Sequence, residues 1–129
     1  MNMTKFFVST LLILGTGVTL SAQALDIKTY SPVALAAAQN ENKPVAVHFH
    51  ADWCPTCRAQ AKVLEDMKME RGLALTVLVA NYDTEKELKR GLQINAQSTL
   101  VVFKGQRETA RLVGETSAVA IRSALKSAL

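Results

Sequence analysis

Aromatic residues are scarce in this chain, 5% of 129 residues, and the 15 Lys and Arg form no runs. A nucleic-acid surface needs clustered positive charge and stacking side chains. The net charge of +4 is therefore read as a contribution to solubility, not as a nucleic-acid partner. Cysteine is rarer still. Two residues cannot build a disulfide scaffold. Three prolines and six glycines exclude collagen-like and low-complexity classes. No phosphate loop, Ser/His/Asp grouping or paired-carboxylate motif is present. No apolar run reaches the roughly 20 residues of a membrane-spanning helix.

What is present divides into an address and a domain. Residues 1–24 read as a secretory signal peptide. Lys5 gives a positive start, Phe6 to Leu14 an apolar stretch that continues weakly to Leu20, and Ala22-Gln23-Ala24 a small-x-small cleavage signature. Cleavage after Ala24 is expected, with a periplasmic or secreted product that is not membrane-embedded. No Cys follows the apolar stretch, as a lipid anchor would require. Lys5 is the only charge removed. Residues 25–129 carry no linker or repeat and are read as one domain.

Within that domain the patterning alternates strand and helix. Asp26 to Tyr30 reads as a short edge strand. Ser31-Pro32 starts a helix, with Ser as N-cap and Pro in the first turn. Val45 to His50 reads as a strand, with Val45, Val47 and Phe49 on one face and Ala46, His48 and His50 on the other. A helix is predicted from near Cys54 to Arg71, closed by Gly72. Its buried stripe is Cys57, Ala61, Leu64 and Met67. Leu73 to Ala80 reads as a doubly covered strand. Thr84-Glu85-Lys86-Glu87 reads as a capping box opening a short helix that Gly91 ends. Thr99 to Phe103 and Glu108 to Val113 read as a hairpin around residues 104–107. Ser117 or Thr116 caps a last helix whose face is Ala118, Ile121, Leu125 and Ala128. The order is β-α-β-α-β-α-β-β-α, an α/β fold with a central mixed β-sheet flanked by helices on both faces.

The chemistry lies in Trp53-Cys54-Pro55-Thr56-Cys57. Both cysteines sit three apart between a strand and a helix. So short a loop makes a poor disulfide staple, because crosslinking it removes little chain entropy. Redox or metal chemistry is the better reading. Cys54 at a helix amino end meets unpaired N–H groups and the macrodipole, which stabilise an anion. A free thiol near pKa 8.5 is only about 3% thiolate at pH 7, and lowering it to about 7 gives half. Cys57, one turn in, is suited to resolve a mixed disulfide. Pro55 stiffens the ring and, lacking N–H, removes one donor to the Cys54 sulfur.

At this point the chain resembles the thioredoxin family. The match is Trp53-Cys54-Pro55-Thr56-Cys57 after a β-run and before a helix, Asn81-Tyr82-Asp83, the run Thr99-Leu100-Val101-Val102-Phe103-Lys104-Gly105, and Val113-Gly114. It covers roughly residues 26–129. The resemblance implies a thioredoxin fold and thiol–disulfide exchange, with Cys54 attacking and Cys57 resolving. It implies a substrate surface at Trp53, Pro55, Thr56, Gln97, Ser98 and Thr99, and no cofactor. The Cys-Pro-Thr-Cys pair is also similar to that of exported thioredoxin-like reductases of cytochrome c maturation, a match limited to the motif.

Three positions depart from the family pattern. Ser98 stands where the family places a cis-proline. A non-proline cis bond costs about 2.5–4 kcal/mol, so Gln97–Ser98 is expected trans, or cis only with strain. The Ser98 hydroxyl is then placed to face the sulfurs. His48 stands where many thioredoxins carry a buried Asp, and Val79 where that Asp has a Lys partner. A neutral His48, its pKa lowered by burial, is a candidate proton acceptor for Cys57 beside the plainer reading of a core histidine. His50 stands where an aromatic is common. His48, His50, Cys54 and Cys57 together make a potential four-ligand metal set.

The leading expectation is an exported thiol–disulfide oxidoreductase with Cys54, Cys57 and His48 as catalytic residues. Its partners are disulfide-containing or dithiol proteins of the cell envelope, and a membrane-bound thiol reductant restores it if it works in the reducing direction, the favoured one. The alternative is a metal-binding or metal-delivery domain using Cys54, Cys57 and His50. A third is an interaction domain whose disulfide is structural.

Overall fold

The structure, a computed structural model, describes residues 24–129. The leader assigned to residues 1–24 lies outside the described residues except for Ala24. Ten elements follow in order, written here as β1 (Asp26–Thr29), α1 (Pro32–Asn40), β2 (Pro44–His50), α2 (Pro55–Asp66), a 3₁₀ turn (Met67–Met69), β3 (Thr76–Asn81), α3 (Lys86–Gly91), β4 (Thr99–Lys104), β5 (Arg107–Val113) and α4 (Ala118–Lys126). The strands form one mixed sheet in the order β1-β3-β2-β4-β5. β3 pairs in parallel with β1 and β2, and β4 pairs antiparallel with β2 and β5.

Alternation along β2 divides the core. Val45, Val47 and Phe49 join Leu78, Ala80, Val101, Phe103 and Leu35 of α1 on one face. Ala46 joins Val77, Leu100 and Val102 on the other, under Leu64 of α2 and Ile121, Ala124 and Leu125 of α4. Phe49, Leu64 and Leu125 are essentially fully buried. Burial of each such side chain contributes about 1.5–3 kcal/mol.

The local signals act largely as expected. Ser31 caps α1, its hydroxyl accepting from Ala34 N at 3.1 Å, with Pro32 in the first turn. Ser117 caps α4 by accepting from Ala120 N at 3.3 Å. The β4–β5 turn needs Gly105, which lies at φ +58°, and a Cβ there would strike Asn42.

Three boundaries and one buried helix face differ from the sequence expectation. α2 ends at Asp66, not Arg71, because the chain tightens into the 3₁₀ turn and Glu70 swings into extended backbone. There its carboxylate accepts two bonds from Arg122 of α4, at 2.7 and 2.6 Å. β3 begins at Thr76 rather than Leu73, because Leu75 N turns back to Leu73 O. The capping box does not form. Asn81 Oδ1 instead accepts from Asp83 N and Thr84 N, and α3 starts at Lys86 with no side-chain cap. In α4, Ala118 is exposed and Ala124 takes its place on the buried face.

Candidate active site

The carboxyl end of β2 and the amino end of α2 deliver the two cysteines. Cys54 is the N-cap of α2, with extended backbone (φ −95°, ψ 111°) and Pro55 opening the helix. Its sulfur accepts from Cys57 N at 3.1 Å. Both cysteines are buried free thiols, packed with Ala51 and Tyr82.

Ser98 completes the centre from the far side. Its Oγ lies 3.1 Å from Cys54 Sγ and 3.1 Å from Cys57 Sγ. The Gln97–Ser98 peptide is trans, as expected, and Ser98 sits at φ +60°. That left-handed conformation costs a serine about 1–3 kcal/mol and persists because its surroundings impose it. Ser98 N donates to Phe49 O at 3.0 Å, and Ser98 O accepts from Gly114 N at 2.9 Å. Ser98 O also accepts from Gln60 Nε2 at 2.9 Å.

Burial alone would raise both thiols. At Cys54 the Cys57 thiol, the Ser98 hydroxyl and the amides of Cys57 and Thr56 all point at the sulfur and outweigh burial, so its pKa lies below the ordinary thiol value. Burial pushes the Cys57 thiol up, and its hydrogen bond to Cys54 pushes the same way. The pair is therefore asymmetric: Cys54 is the better anion and Cys57 holds the proton.

His48 is also in the core, opposite Val79 on β3 and Leu100 on β4. Its Nε2 lies 2.9 Å from Gln60 Oε1. Gln60 Nε2 already donates to Ser98 O and to Glu115 O, at 2.9 and 2.8 Å. Gln60 Oε1 must then accept, so His48 carries its proton on Nε2. Burial lowers His48 to about 4, Gln60 opposes this, and the neighbouring His50 adds to it. The imidazole is neutral at pH 7. No hydrogen bond joins it to either cysteine, and its Nδ1 is buried without a partner.

His50 does face the same way, its ring centroid 5.6 Å from that of His48. Its Nε2 is 3.2 Å from Asp52 Oδ1. Among the described residues, no three His, Cys, Asp or Glu side chains converge to hold a metal ion. The potential ligand set of His48, His50, Cys54 and Cys57 is thus not assembled.

The outer residues form a rim. Trp53 is 59% exposed and its Nε1 donates to Asp83 Oδ2 at 2.9 Å. Pro55 is exposed, and Thr56 and Gln97 are half-buried. Thr99 faces inward: it is buried and its hydroxyl donates to Ala96 O at 2.7 Å. Gln60 is the site residue that sequence reasoning missed. Polar and mid-helix, it looks like a surface position. The available signal was its place one turn after Cys57, within the buried stripe of α2.

A family model described as Thioredoxin matches residues 32–127. The chain is 39% identical over 82 residues to a thioredoxin of Mycobacterium tuberculosis strain H37Rv, covering 64% of this chain and 71% of that protein. It is 34% identical over 77 residues to a thiol:disulfide interchange protein TxlA homolog of Synechocystis, covering 60% of this chain and 40% of the relative. The crystal structure of Trxlp from Edwardsiella tarda EIB202 superimposes with a TM-score of 0.72 at 33% identity, covering 78% of this chain and 98% of that one.

Proposed function

This chain belongs to the thioredoxin family and is a thiol–disulfide oxidoreductase, and we propose that it works outside the cytoplasm, reducing disulfides in proteins of the cell envelope. The observation that carries the exchange chemistry is the pairing of Cys54 Sγ with the first-turn amide of α2, Cys57 N, at 3.1 Å. The Cys54 thiolate attacks a partner disulfide. One partner sulfur joins Cys54 and the other leaves as a thiolate. Cys57 then loses its proton, attacks Cys54 Sγ and displaces the first partner sulfur, which takes up a proton. Two electrons have passed to the partner, and the Cys54–Cys57 disulfide awaits a thiol reductant, which we place in the membrane.

Support for export is the leader pattern of residues 1–24. Support for the reducing direction is the likeness to thioredoxins, which lie at the reducing end of the thiol–disulfide scale, about −270 mV. The partner strand docks across Trp53, Pro55, Thr56 and Gln97. Gln97 makes none of the main-chain loop bonds, whereas those of Ser98 are spent within the chain. Ser98 therefore contributes its side chain, and Gln97 the backbone that pairs with a partner.

The test is trapping from envelope extracts with Cys57→Ser, which leaves Cys54 joined to its partners. Enrichment of exported, disulfide-containing proteins supports the reading. Recovery of cytoplasmic proteins alone would remove the compartment and the partner class from it.

A further inference from the structure

We propose that the Ser98 hydroxyl is a catalytic residue that serves both halves of the exchange, donating first to Cys54 and then to Cys57. Its oxygen is the same distance, 3.1 Å, from the two sulfurs. Rotation of the hydroxyl hydrogen about the Cβ–Oγ bond moves the donor from one sulfur to the other, and no heavy atom has to move. A hydroxyl has one proton to donate, and a hydrogen bond to an anion is roughly twice as strong as one to a neutral group. The donor therefore follows the negative charge.

Before attack the charge is on Cys54. The hydroxyl there supplies a donor at a sulfur from which Pro55 withholds its amide. Once Cys54 is bonded to a partner sulfur it is neutral, and the donor turns to Cys57. The Cys57 S–H bond breaks, the Cys54–Cys57 bond forms, the bond from Cys54 to the partner breaks, and the departing sulfur carries away the electron pair. That sulfur takes up the proton that Cys57 gives up, or leaves it to water where the departing thiol is acidic. Ser98 itself loses and gains no proton overall.

The oxygen is held for this by the surrounding bonds. Phe49 O, Gly114 N and Gln60 Nε2 tie down both main-chain groups of Ser98. Gln60 is in turn fixed by Glu115 O and His48 Nε2. Gln60 is a positioning residue, and neutral His48 fixes its orientation. The proposal concerns the exchange chemistry itself and is independent of compartment and direction.

Ser98→Gly is the variant of choice, because glycine accepts φ +60° without strain and carries no hydroxyl. Ser98→Ala removes the same hydroxyl and keeps Cβ, and it is read on its folded fraction. Each is mixed at pH 6 with a chromogenic aromatic disulfide, which releases one coloured thiolate at attack and a second at resolution. Loss of the donor is expected to raise the Cys54 pKa. The loss of thiolate is partly offset by greater nucleophilicity, so attack slows about three- to fourfold. Resolution is expected to slow by a similar factor. Slowing of attack alone would overturn the hand-over, and rates within 1.5-fold of wild type in both phases would overturn the role entirely. Neither result touches export or partner choice, which the trapping experiment reads separately.

Discussion

Gln60 Oε1 accepts a hydrogen bond from His48 Nε2 at 2.9 Å, deep in the core between α2 and β2. The same amide reaches Ser98 O and Glu115 O, so one side chain ties the central strand, the cysteine helix and two loops together. Gln60→Leu fills similar space but deletes all three bonds and strands a buried imidazole N–H, while Ser98 O keeps its bond from Gly114 N and Glu115 O is only partly buried. An unsatisfied buried group costs about 1–3 kcal/mol. We expect a loss of about 2–4 kcal/mol in urea unfolding at pH 7, with the Ser98 loop loosened. A loss below about 1 kcal/mol would show that the network is not a structural clamp.

His48 makes stability depend on pH. Its folded pKa is about 4, against a usual value of 6.5, because it is buried. Between those values the unfolded chain binds a proton that the folded chain does not. Stability therefore falls as pH drops from about 6.5 to about 4, by about 1.4 kcal/mol per pH unit at most. His48→Gln keeps an N–H for Gln60 and does not titrate. Unfolding curves at pH 7 and pH 4.5 should differ for the wild type more than for this variant. Equal differences would remove His48 as the titrating group.

The cysteines should titrate apart. Hydrogen bonds at the Cys54 sulfur outweigh burial and lower its pKa, while burial raises that of Cys57. Alkylation of the reduced protein at pH 6 should modify Cys54 first and nearly alone, read by peptide mass. Cys54→Ser should abolish disulfide turnover. Preferential modification of Cys57 would reverse the assigned roles.

Much of this was legible in the chain. Trp53-Cys54-Pro55-Thr56-Cys57 lies between a β-run and a helix, and Ser31-Pro32 announces α1. Each signal is local, and local geometry realises it. Ser98 was marked by the proline missing from its position, and its place beside both sulfurs followed. What stayed hidden depends on distant partners. α2 stops at Asp66 because Glu70 is drawn to Arg122, 52 residues later. Asn81, at the end of β3, takes the Thr84 amide that Glu87 would have accepted from in a capping box. Gln60 reads as solvent-facing until the Ser98 and Glu115 carbonyls arrive over it. The four-ligand metal pattern stays unassembled for a different reason. His48 and His50 share a strand face, but among the described residues no three of the His, Cys, Asp and Glu side chains converge on one point.

Export makes its own prediction. Expressed with residues 1–24 in a two-membrane bacterial host, the mature protein should begin at Leu25 by intact mass and leave with the periplasmic fraction. An uncleaved chain in the cytosol would contradict the leader assignment without touching the exchange chemistry.

The central claim is that Cys54 and Cys57 form a reducing redox pair. It is tested most directly by the equilibrium redox potential, measured against glutathione buffers with the fluorescence of Trp53, the single tryptophan, as reporter. A value near the thioredoxin end of the scale, about −270 mV, is expected. A value near about −120 mV, that of a strong oxidant, would contradict it.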